Sequence, residues 1–292
     1  MGRRGGGAGK GFHEAPLVLF SALAVAGAGI GGSRVLLAAT GQGAWASSPW
    51  EAGVVAGLLA LGVLVSTLHL GRPSRAGLAL RMVGRSALTA EVLALGASLA
   101  VGALAALLPP GSAVGGLARV LLPWLSVLVL LTLGAVYRLP GQVGWGGSAF
   151  LRPLALGMVF GMVVQGAAGS WEVGGSALAV LLLVWVVDAL LMVLGGRKLE
   201  RTLGSAEASH PAVFRRRRLL LAVRFSLVNL VAPLAFLLAW TLLLVVVLVA
   251  GGVLLDRFLF YALAARLTTE GEVRRVEAAL HRRSIAPQSS TD

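Results

Sequence analysis

The stretch LLLAVRFSLVNLVAPLAFLLAWTLLLVVVLVAGGVLLDRFLFYAL, residues 219–263, holds 45 residues and only three charged side chains, Arg224, Asp256 and Arg257. Wound as a single α-helix it would measure about 68 Å, more than twice the roughly 30 Å hydrocarbon thickness of a bilayer. It must therefore be two crossings, with a turn expected between Pro233 and Trp240. Upstream, apolar blocks of membrane-crossing length run approximately over 15–38, 51–70, 87–108, 118–137, 149–168 and 176–195. The expected fold class is an all-α integral membrane protein, a bundle of eight transmembrane helices. The whole composition agrees, with 57% hydrophobic and 13% charged residues over 292 positions, a balance that soluble domains do not show. Three parts follow: a cytoplasmic N-terminal segment over 1–14, the membrane bundle over 15–265, and a polar tail over 266–292 in which 270–283 could form a surface helix.

The chain has no cysteine, which excludes structural disulfides, thiolate metal sites and an iron–sulfur cluster held by this chain. Arg3 and Arg4 precede the first apolar block as in a secretory signal, but that block is long and shows no small-residue cleavage pattern, so it is read as a retained helix. Eight crossings put alternate loops on alternate sides. Only Arg34 and Arg119 then fall on one side, and the other 23 of the 25 Lys and Arg residues fall on the side of both termini. The positive-inside rule makes that side the cytoplasm. The net charge of +13 is thus a matter of topology and anionic lipid, with no nucleic-acid partner implied. Trp45, Trp50, Trp124, Trp145 and Trp171 lie near helix ends, where indole suits the headgroup level. Gly27, Gly29, Gly31 and Gly32 in the first helix favour close helix contact over a pore, and no internal repeat suggests a transporter of inverted halves.

Ionisable groups gather at one place between helices 2 and 3. In STLHLGRPSR (66–75), Gly71 and Pro73 end helix 2, leaving His69 in its last turn. A histidine there could simply complement the helix dipole. In RSALTAEVLALG (85–96), Ser86 is a plausible N-cap, and Glu91 lies five residues further, about 7 Å deeper. A carboxylate at that depth is costly to keep in lipid and reads as functional. Histidine and carboxylate at one face of an apolar cleft suit proton removal from a quinol. Asp188, about nine residues inside the basic end of helix 6, and Arg224, about six beyond the Arg215 to Arg218 cluster, lie at similar depths. They are expected to form a structural ion pair, with a proton relay as the rival role.

Four blocks, HEAPLVLF (13–20), LHLGRPSRA (68–76), RMVGRSALTAEV (81–92) and DRFLFYAL (256–263), together resemble the membrane anchor of dimethyl sulfoxide reductase, within the polysulfide-reductase-like anchors. Similarity in hydropathy and motif order spans about 12 to 265. The resemblance implies an anchor without haem that binds and oxidises menaquinol. Its partners would be a ferredoxin-like four-cluster iron–sulfur subunit and a molybdopterin catalytic subunit, in a bacterial or archaeal cytoplasmic membrane. The family's functional histidine falls on His69 and its helix-3 acid on Glu91. Arg72, Arg75 and Arg257, with His13 and Glu14 at the start of helix 1, become candidates for shaping the quinol pocket or docking the cluster subunit. Glu14 and Pro16 also suit an ordinary helix start. Two departures stand out. Relatives commonly carry a glutamate and a glycine before the last-helix arginine, where this chain has Val253 and Asp256. Relatives also often serve exported catalytic subunits, whereas the basic residues here put the docking face in the cytoplasm. A haem-bearing cytochrome b would need axial histidine pairs within the bundle, and His13, His69, His210 and His281 provide none at mid-helix. The remaining alternative is a small secondary transporter or proton-conducting protein using Asp188 and Glu91.

Overall fold

A computed structural model describes residues 15–67, 87–136, 147–169, 175–207, 211–237 and 242–261. His13, Glu14, His69, Arg72 and Arg75 lie outside the described residues. The regular elements among the described residues are all helices: α1 Ala15–Ala39, α2 Pro49–Thr67, α3 Ala87–Leu107, α4 Ala113–Ala135, α5 Gly147–Ala167 and α6 Gly175–Glu207. α7 runs from Pro211 to Ser226, through a π-helical turn at Leu227–Val231, and on to Leu237. α8 is Leu242–Tyr261. Among the described residues these make eight helices long and apolar enough to cross a membrane.

Helix ends follow local chemistry that hydropathy alone does not register. α4 starts at Ala113, earlier than its apolar block, because the Ser112 hydroxyl accepts the Gly115 N–H at 3.1 Å as an N-cap. α6 continues to Glu207, beyond its apolar part, since 33 residues rise about 50 Å and outrun the hydrocarbon layer. The helix of α7 passes through Pro233 and persists to Leu237, which leaves 238–241 to join it to α8. Pro233 has no N–H to give the Asn229 carbonyl. Just before it the ladder shifts to i→i+5, with the Ala232 N–H bonded to the Leu227 carbonyl, which absorbs the mismatch in a π turn.

Because lipid tails are as apolar as leucine, the inner faces are marked by small and polar residues rather than by extra hydrophobicity. α1 and α5 are the most enclosed spans, and α1 packs against α2, α4 and α5. α3 lies against α2 and α4, and α6 against α5 and α7. α1 and α5 meet through glycine. A Cβ placed on Gly29 would lie 2.7 Å from the Gly157 carbonyl carbon and 2.9 Å from its Cα. Gln165 reinforces the contact, its Nε2 donating to the Ile30 carbonyl at 2.7 Å and to the Ser33 hydroxyl at 2.9 Å.

At the end of the bundle where α1 meets α2, the two arginines that sequence assigns to the sparsely charged side are both buried. Arg34 Nη2 donates to Glu51 Oε2 at 2.8 Å. The same oxygen accepts the Ser48 N–H at 2.7 Å, and the Ser48 hydroxyl accepts the Glu51 N–H, so Ser48 and Glu51 form a capping box for α2. Arg119 Nη2 donates to the Leu108 carbonyl at 2.6 Å. Pro123 cannot bond the Arg119 carbonyl within α4, and that carbonyl accepts the Ser47 N–H at 3.0 Å, tying α4 to the α1–α2 turn. Trp45 stacks on Trp124 with centroids 6.0 Å apart, while Trp145 and Trp171 lie outside the described residues.

Substituting Gly29 by Val should force α1 from α5 and lower the stability of the detergent-solubilised chain by about 1–3 kcal/mol. Gly57, where an added Cβ would meet nothing within 4 Å, serves as the control. Gly57→Ala should hold or raise the thermal unfolding midpoint, by static light scattering or intrinsic fluorescence, because alanine in a helix interior is favoured over glycine by about 0.5–1 kcal/mol.

Candidate functional site

Glu91 stands one turn into α3, on the face that also buries Ala94, Leu95, Ser98 and Gly102. That face is the one α3 turns to α2 and α4. Glu91 is 3% exposed, and its Oε1 has no hydrogen-bond partner. Two turns further along the same face the Ser98 hydroxyl is also buried without a partner. Buried polar atoms are almost always paired, so an open carboxylate oxygen one turn into α3 is a place where a donor from outside the described residues can bind. A carboxylate there can accept a hydrogen bond from a hydroxyl group and then its proton.

A second group of charges occupies the α5–α8 half. Arg224 on α7 grips Asp188 on α6 with both ends of its guanidinium fork, Nη1 to Oδ2 at 2.7 Å and Nη2 to Oδ1 at 3.0 Å. Nη1 also lies 3.0 Å from the Met192 sulfur. The structure thus brings together the two residues that sequence pairs, and it adds three more. Asp256 Oδ1 accepts from Arg152 Nη2 on α5 and lies 3.4 Å from Arg224 Nε. Asp256 Oδ2 accepts from Arg257 Nη2 at 2.6 Å, and the Arg257 guanidinium carbon sits 5.1 Å from the Phe260 ring centroid. Arg257, a sequence candidate for quinol binding or docking, is 1% exposed and donates to Asp256 through Nη2 alone.

Arg152 and Asp256 were not recognised as partners from sequence. They are 104 positions apart, and the only local signal is an Asp-Arg dipeptide within an apolar helix. Glu51 was also missed, although SPWE (48–51) before an apolar run is a readable capping-box pattern. Glu91 and the Asp256-centred cluster thus form two separate polar centres, one between α3 and its neighbours α2 and α4, the other among α5 to α8.

A family model described as the DMSO reductase anchor subunit (DmsC) matches residues 8–263. The chain belongs to the DMSO reductase anchor subunit family. Neither a curated protein nor a solved structure matches it. The matched span takes in His13, Glu14, the α2–α3 connection with His69, Arg72 and Arg75, Glu91, and every member of the α5–α8 charge cluster. As a member of this family the chain is a multi-pass membrane subunit that associates with the catalytic and iron–sulfur subunits of a reductase.

In this anchor, breaking the Asp188–Arg224 pair leaves an uncompensated charge in a dry site, a loss of about 3–5 kcal/mol. Asp188→Asn should therefore reduce the amount of folded subunit recovered in detergent, as read by fluorescence-detected size exclusion. The double variant Asp188→Leu with Arg224→Met should recover more than Asp188→Asn alone, because both charges leave together. Wild-type levels of an assembled but inactive Asp188→Asn complex would instead assign Asp188 to a proton relay.

Proposed function

We propose that this anchor oxidises menaquinol and delivers its two electrons to a ferredoxin-like four-cluster iron–sulfur subunit, which feeds a molybdopterin catalytic subunit. The observation that carries the reading is Glu91, a buried carboxylate with one unpartnered oxygen in a family of reductase anchors. A quinol becomes a quinone by losing two electrons and two hydroxyl protons. Glu91 accepts one proton as a general base, and His69 receives the other through its imidazole. The electrons leave to the partner's cluster, so this chain needs no metal of its own. Arg72, Arg75, His13 and Glu14 shape the mouth of the pocket or dock the cluster subunit.

Both termini and the docking face are assigned to the cytoplasm, in a bacterial or archaeal cytoplasmic membrane. Supporting this, Arg34 and Arg119, the two basic residues on the other side, are buried and tied to Glu51 and to the Leu108 carbonyl. Free positive charge is thereby left to one surface. Transport, the alternative reading, would use Asp188 and Glu91 as carriers, and of these two only Glu91 has an open oxygen. Every carboxylate oxygen of Asp188 and Asp256 is already engaged by a guanidinium group, which leaves no open proton carrier among them.

Glu91→Gln keeps the shape and removes the base. In the intact complex it should lower menaquinol-dependent reduction by about 10²- to 10⁴-fold. Turnover with reduced viologen, which enters electrons at the clusters, should stay within about twofold. His69→Ala should behave in the same way. Parallel loss with both donors would mean failed assembly, and full menaquinol activity in assembled Glu91→Gln would remove the carboxylate from the mechanism.

A further inference from the structure

The α5–α8 cluster does not balance. Among the described residues it contains three guanidinium groups, of Arg152, Arg224 and Arg257, and two carboxylates, of Asp188 and Asp256. Arginine does not give up its proton in proteins, so the imbalance is one full positive charge. The carboxylates cannot absorb it. Asp188 is filled by the Arg224 fork, and Asp256 is shared by Arg152 on one oxygen and Arg257 on the other. Donors remain. Arg257 is 1% exposed, yet its Nε and Nη1 have no hydrogen-bond partner, and neither does Arg152 Nε. A buried cation with unmet donors is costly unless an anion supplies both charge and acceptors.

Depth and surroundings limit what that anion can be. Asp256 and Arg257 lie four to five residues inside the end of α8 at Tyr261, about 6–8 Å along the axis. Arg152 is two residues past the start of the span Phe150–Ala167, and its side chain is 18% exposed, the most open of the five. The cluster therefore opens toward the headgroup level at the basic end of the bundle. Beside it the surface is apolar: Leu151 next to Arg152, and Leu254 and Phe258 flanking Asp256 and Arg257, are all exposed.

We propose that Arg257 and Arg152 bind the phosphodiester of one anionic phospholipid, with its acyl chains lying along Leu151, Leu254 and Phe258. The phosphate brings the missing negative charge and oxygens for the orphaned N–H groups, a match that guanidinium makes well. Anionic headgroups are held in this way by basic pockets between transmembrane helices. The lipid completes the electrostatics of the α5–α8 half and acts as a structural ligand, independent of quinol chemistry at Glu91.

The test uses the full chain, purified in neutral detergent, stripped of lipid, and supplied separately with phosphatidylglycerol, phosphatidylcholine or inorganic phosphate. Native mass spectrometry and the thermal unfolding midpoint are read for each. One phosphatidylglycerol should bind and raise the midpoint, with phosphatidylcholine and inorganic phosphate giving no comparable shift. Arg257→Gln should weaken phosphatidylglycerol binding by at least about tenfold. Should that variant fold poorly, Arg152→Gln provides the same comparison, and the wild-type arms decide by themselves. An equal response to phosphatidylcholine, a response to inorganic phosphate without lipid, no response to any of the three, or unchanged affinity in a folded variant would each overturn the proposal.

Discussion

A guanidinium group inside the hydrocarbon layer needs a fixed counter-charge beside it, because there is no bulk water there to solvate it. In this anchor the requirement falls on Asp256, which meets Arg152 of α5, Arg224 of α7 and Arg257 of its own helix. Through Arg224 the arrangement reaches Asp188 on α6. Four helices whose surfaces are otherwise interchangeable aliphatic faces thus acquire one register. Leucine against leucine would tolerate sliding by a turn; a bidentate arginine would not.

The other half of the bundle is held differently. α1 reaches α5 through Gly29 and Gly157 and is fixed by the Gln165 bonds to Ile30 and Ser33. At the far end, Arg34, Glu51, Ser48 and Arg119 tie α1, α2, α3 and α4 together with hydrogen bonds that also cap α2 and use the carbonyl released by Pro123. Glu51, Asp188 and Asp256 each meet an arginine, whereas Glu91, among the described residues, is a buried carboxylate with no cation beside it and its Oε1 open. An anchor that only had to hold partner subunits at the membrane would gain nothing from an unsatisfied buried carboxylate. An anchor that takes protons from a substrate needs one. The open oxygen of Glu91 therefore supports the quinol reading more directly than the eight-helix architecture does, since a bundle of this kind accommodates many activities.

The two halves also differ in how their charges are met. Glu91 lies on the α3 face that meets α2 and α4, with no cation beside it among the described residues. The charges of α5 to α8 are engaged with one another, beside the exposed apolar side chains of Leu151, Leu254 and Phe258.

The number of crossings was legible in the sequence because a 45-residue apolar run cannot cross a bilayer once, and because each remaining block matches the hydrocarbon thickness. The family was legible in four short motifs, and the depth of Glu91 in its distance from Ser86. Depth alone also suggested Asp188 with Arg224, since charges buried at one level in neighbouring helices have few partners to choose from. What depth could not supply was which helices are neighbours in space. Arg152 and Asp256 meet across 104 positions, and the face each helix turns inward is nearly as apolar as the face it turns to lipid. Hydropathy carries no directional information in such a chain. Glycine close contacts and ion-pair geometry decide it, and those exist only once the helices are packed.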